Sequence, residues 1–185
     1  MTTIISSHYQ PAQFPKATQY GVTALLALSS VLLTSLVPGG PIETRSFAHI
    51  NPLILGGFNT FLTTLSLVSL LLLYSVWQRQ HWAYAASAIA GLSYFLVYVL
   101  DLGCLFPVSP DAMPTALFVI EVLGTIVSLP LMLVSVQGVR FLREQSGAPV
   151  GSNSFNQTKQ VATAIAITLL GIGIITFATR SAMGL

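Results

Sequence analysis

SAIAGLSYFLVYVLDLGCLFPVSPDAMPTALFVIEVLGTIVS, residues 87–128, decides how the whole chain is read. Two apolar runs flank GCLFPVSPDAMP; Asp101 closes the first run and Glu121 lies inside the second. Each run, followed to its natural boundaries, is long enough to cross a hydrocarbon layer about 30 Å thick as a helix. A carboxylate inside such a run is expensive in lipid, so Glu121 needs a protein interior, a polar cavity, a partner subunit or headgroups around it.

The same pattern recurs on both sides. Hydrophobic residues make up 54% of the 185 and charged residues only 6%, a balance foreign to soluble domains. Boundaries at Pro, Gly, Asn and charged residues mark five runs, at about 21–37, 53–77, 82–102, 114–136 and 161–178. The expected fold is therefore all-α: a polytopic five-helix membrane bundle. A polar arm (1–20) precedes a single membrane domain (21–178), which contains a polar connector (144–160) and is followed by a short tail (179–185). VPGGP after the first run is no small-x-small cleavage pattern, so that run reads as an uncleaved helix.

Five crossings put Lys16, Arg79, Arg140, Arg143 and Lys159 on one side against Arg45 and Arg180 on the other. That asymmetry predicts an inside amino terminus and an outside carboxyl terminus. Trp77 and Trp82 bracket the turn Gln78-Arg79-Gln80-His81 and fit an aromatic belt at a membrane surface. Asn51 followed by Pro52 predicts a capped, sharp entry into the second helix.

Helical spacing sorts the polar residues into faces. Gly56, Asn59, Thr63 and Ser66 share one face of the second helix; a packing seam is its first reading and a solute pathway its second. Ser87, Gly91, Tyr94, Tyr98 and Asp101 form a stripe on the third helix that ends in a carboxylate. Tyr94 lies roughly 10 Å along the helix from Asp101, deep enough to need a hydrogen-bond partner or a ligand. Pro130 removes an internal hydrogen bond from the fourth helix and is the expected structural hinge.

The predicted topology collects Glu43, Arg45, His49, Asp101 and Asp111 at one membrane surface, with Glu121 reaching inward from it. Arg45 is the obvious base for these carboxylates, with His49, Asn59, Tyr94 and Tyr98 as hydrogen-bonding neighbours. Glu43, Arg45, His49, Asn59, Tyr94, Tyr98, Asp101, Asp111 and Glu121 are thus the candidate ligand- or ion-binding residues. The alternative is an Arg45–carboxylate lock that holds the loops on the bundle.

Other chemistries lack a footprint. The net charge of +2 is scattered through loops and offers nucleic acid no surface. No compact metal motif, phosphate loop or nucleophile elbow occurs, and no residue is assigned a catalytic role. The three histidines lie outside the spans, against a haem held between helices, and no Lys lies in any span, against a retinal Schiff base. No cofactor is named, and the lone Cys104 cannot form an intrachain disulfide. The partners expected are membrane lipids together with other membrane subunits or further copies of the chain, in a plasma or other energy-transducing membrane. Three functions follow in order: an accessory or assembly subunit of a membrane complex; binding or transport of a small solute, proton or cation at the carboxylates; and an enzyme acting on a lipid or quinone.

Overall fold

The computed structural model describes residues 15–38 and 40–145, together with positions 176 and 180. Four helices follow one another: α1 (Lys16–Ser35), α2 (Pro52–Trp77), α3 (His81–Leu102) and α4 (Thr115–Gln145). Each is long and apolar enough to span a bilayer. Large apolar side chains such as Val31, Ile54, Phe61, Ile89, Phe118, Ile126 and Leu133 face outward along all four. In water such a surface would drive aggregation, whereas in lipid it is solvated. The protein is an all-α, multi-pass integral membrane protein.

This corrects the expected five-helix bundle: among the described residues the long apolar helices number four. The fifth predicted span, 161–178, and most of the connector and tail lie outside the described residues, and the inside/outside assignment of the termini that depended on five crossings falls with it. Two boundaries also move. α1 starts at Lys16 instead of near Gly21, because Gln19 is buried and satisfied: its Nε2 donates to the Trp77 carbonyl at 2.7 Å and its Oε1 accepts from Arg79 Nε at 3.1 Å. α4 runs to Gln145, past the predicted end at 136, since Val139, Phe141 and Leu142 pack against the core.

The helix ends follow their sequence chemistry. The Asn51 side chain accepts from Leu53 N at 2.9 Å, and Pro52 opens α2, where a missing N–H does no harm. α2 and α3 each end in a left-handed residue, Arg79 (φ 57°) and Cys104 (φ 52°). The following amides reach back, Gln80 N to Ser75 O and Leu105 N to Leu100 O, which is the Schellman closure.

α3 and α4 share the widest contact. Gly91 and Gly124 allow it: a Cβ on Gly91 would stand 3.0 Å from Met132 N, and one on Gly124 would run into the Tyr98 ring. α1 packs against both α4 and α2, while α2 and α3, though joined by the shortest turn, touch less. α1 and α2 are joined by hydroxyls, Ser30 Oγ to Ser66 Oγ at 3.2 Å and Thr34 Oγ1 to Ser66 Oγ at 2.9 Å. α4 stays helical through Pro130, with Leu131 fully buried beside it.

Candidate functional site

The loop between α1 and α2 turns inward at Glu43, Arg45 and Phe47, all buried, while the alternating Thr44, Ser46 and Ala48 are exposed. Arg45 thereby meets the end of α3. Its Nη1 donates to Asp101 Oδ1 at 3.0 Å and its Nη2 to Asp101 Oδ2 at 2.7 Å. On the other side Nε donates to Glu43 Oε1 at 3.0 Å and Nη2 to Glu43 Oε2 at 2.6 Å. The Arg45 backbone amide also donates to Glu43 Oε1, and the guanidinium lies over the Phe47 ring at 5.3 Å. Burial opposes the charge on Arg45, but hydrogen bonds and the charges of Glu43 and Asp101 outweigh it and push its pKa up. It is a guanidinium at every working pH.

Glu121, one turn and a half into α4, lies beside Asp101. It is 1% exposed, and its Oε2 has no hydrogen-bond partner. The Tyr98 hydroxyl, one turn before Asp101 on α3, is equally buried and also without a partner. Buried polar atoms are nearly always paired; Ser29 Oγ and Ser135 Oγ are unpartnered as well, but Glu121 and Tyr98 are the two of these four residues that line a cavity.

That cavity has a volume of about 240 Å³. Its polar end carries Glu43, Asp101, Glu121, Asn59 and Tyr98; its walls are apolar, from Leu33, Leu55, Phe58, Leu62, Leu67 and Val97. Thr34 and Ser66 line its α1–α2 side, and Leu70, 48% exposed, brings the cavity to the lipid-facing surface.

The predicted site residues therefore divide. Glu43, Arg45, Asp101 and Glu121 form one buried cluster, with Asn59 and Tyr98 beside it on the cavity wall. Tyr94 stacks on Tyr98 with centroids 6.4 Å apart, but its hydroxyl is taken by Ser69 Oγ at 2.9 Å and it does not line the cavity. His49 is exposed on the loop. Asp111 is also exposed and accepts from Ser46 N at 2.7 Å, which with Ser109 Oγ to Ser46 O at 3.0 Å stitches the two loops together. Among the described residues no three His, Cys, Asp or Glu side chains gather to hold a metal ion.

Sequence reasoning missed the apolar walls and the roles of Ser30 and Ser69. Ser69 continues the Asn59–Thr63–Ser66 face by one further step of three, so the spacing carried that signal. Gly56, read as part of a packing seam, has nothing within 4 Å of where its Cβ would stand. The walls gave no signal, because leucines around a cavity and leucines facing lipid are alike in sequence.

Four membrane-crossing helices around a buried Arg–carboxylate cluster, with a cavity at its side, define a small multi-pass membrane protein with an intramembrane pocket. Residues 18–160 match a family described as a domain of unknown function, DUF8051, and the chain belongs to that family. No curated protein matches the chain. No solved structure matches it either.

Proposed function

We propose that this protein binds a small amphipathic molecule within the membrane, in the cavity that α1 and α2 form with the end of α3 and Glu121. The observation that carries this reading is the pair of unpartnered atoms, Glu121 Oε2 and Tyr98 OH, at the polar end of an otherwise apolar cavity. A purely packing role for the polar faces would account for unpartnered hydroxyls such as those of Ser29 and Ser135, but not for the space beside Glu121 and Tyr98. The cavity is smaller than the roughly 300–1,000 Å³ of sites for drug-sized ligands, so it suits a small molecule or the end of a longer one. Leu70 at its rim gives the bilayer as the route of entry, which suits an amphiphile better than a water-borne solute.

Gentle extraction of the protein from its own membrane, followed by native mass spectrometry, tests this. The wild type is expected to carry a small amphiphile that Leu67→Trp, which fills the cavity from its wall, excludes. A wild type that carries nothing, or a Leu67→Trp variant that carries the same molecule, overturns the proposal.

A further inference from the structure

The charge around the cavity narrows the class of ligand. Two carboxylates, Glu43 and Asp101, hold a single guanidinium, and a third carboxyl group, Glu121, lies beside Asp101. Arg45 spends its Nε, Nη1 and Nη2 on Glu43 and Asp101, which leaves it badly placed to take an anionic headgroup. Glu121 is the member that Arg45 does not bond; it lines the cavity, and its Oε2 has no partner within the protein. Even with one proton shared between Glu121 and Asp101, two negative charges face one guanidinium; a neutral hydrogen-bonding ligand would satisfy that oxygen but leave this excess, which is costly in a water-poor site. An ammonium group would relieve both, since charge-assisted hydrogen bonds are roughly twice as strong as neutral ones.

We infer that the ligand is an organic monocation, an alkylammonium whose N–H groups donate to Glu121 Oε2 and the Tyr98 hydroxyl while its chain lies along Leu55, Leu62 and Leu67. The inference rests on the binding function proposed above and adds the sign of the ligand's charge. A divalent metal ion is a poorer occupant, because the oxygens of Glu43 and Asp101 are committed to Arg45 and most of the wall is hydrocarbon.

Octylammonium chloride and octanol, matched in chain length and kept below micelle-forming concentration, separate the two ideas. Both are titrated into the purified full chain in detergent, with sodium chloride at equal ionic strength as a third arm, and the thermal unfolding midpoint is read. Saturable stabilisation by octylammonium is expected in the wild type, weakened on the order of 10- to 100-fold in Glu121→Gln. Octanol is expected to bind more weakly and to be indifferent to that substitution.

Octanol as strong as octylammonium overturns the cation and leaves the cavity reading standing. Stabilisation by neither probe overturns both, and an equal response to sodium chloride overturns the organic ligand. Should Glu121→Gln not fold, Leu67→Trp and Tyr98→Phe carry the test. The first is expected to abolish octylammonium binding and the second to weaken it several-fold; undiminished binding in Leu67→Trp overturns the inference.

Discussion

Arg45 holds Asp101 end-on, Nη1 on Oδ1 at 3.0 Å and Nη2 on Oδ2 at 2.7 Å, across 56 residues of chain. The same guanidinium closes on Glu43 two residues away. One side chain thus ties the α1–α2 loop to the end of α3 and fixes the polar end of the cavity. Ion pairs of this kind are a weak argument for stability when compared with an apolar replacement of the whole cluster, but a strong one against removing a single member.

Arg45→Met should therefore destabilise the protein by about 3–5 kcal/mol, because it leaves two buried carboxylates without their cation. Reversible unfolding in mixed micelles measures it. Arg45→Lys should recover only part of the loss, since a point ammonium cannot make the two-pronged contact with Asp101 and face Glu43 as well. Full recovery in the lysine variant would show that charge alone matters there.

Gly124→Ala should cost about 1–3 kcal/mol, the usual penalty of overpacking, because the new methyl meets the Tyr98 ring. Gly56→Ala is the internal control. Nothing lies within 4 Å of its Cβ position, so it should be neutral or stabilise α2 by up to about 1 kcal/mol. Equal losses at both positions would contradict the packing described for α3 and α4.

Tyr94→Phe removes the hydroxyl that donates to Ser69 Oγ and leaves a buried serine short of a partner. Hydrogen bonds between membrane helices average about 0.6 kcal/mol and reach about 1.7, which bounds the expected loss. A Tyr94→Phe, Ser69→Ala cycle separates that bond from the ring's packing, and a coupling near zero would remove it from the account.

Cys104 holds a left-handed backbone at φ 52°, where a side chain costs roughly 1–2 kcal/mol. Cys104→Gly should accordingly raise the unfolding midpoint. Because Cys104 is exposed, a maleimide should label it in the folded protein at the rate of a free thiol. Slow labelling that needs denaturant would show the α3–α4 loop to be covered.

Much of the architecture was already legible in the order of residues. The runs of α2 and α3 have their ends marked by Asn51-Pro52, the Trp77–Trp82 turn and Asp101, and hydrophobic periodicity placed Tyr98 and Asp101 on one face with Tyr94. The α1 start was missed because Gln19 looks like a surface residue until the Trp77 carbonyl and Arg79 supply its partners from 58 and 60 residues away. The count of five spans is corrected to four long apolar helices among the described residues, and the fifth predicted span, 161–178, lies outside them.

Local chemistry along the chain, the capped helix entries and the need of Asp101 and Glu121 for shelter, follows from residue type and spacing, since burying charge in hydrocarbon is costly wherever it occurs. Which carboxylates take Arg45 and which is left without it was decided only by tertiary packing. Glu43, Asp101 and Glu121 are chemically alike, and only the approach of the 43–47 loop to the end of α3, with α4 held close by Gly124 against Tyr98, gives Arg45 two of them and leaves Glu121 Oε2 without a partner in the protein.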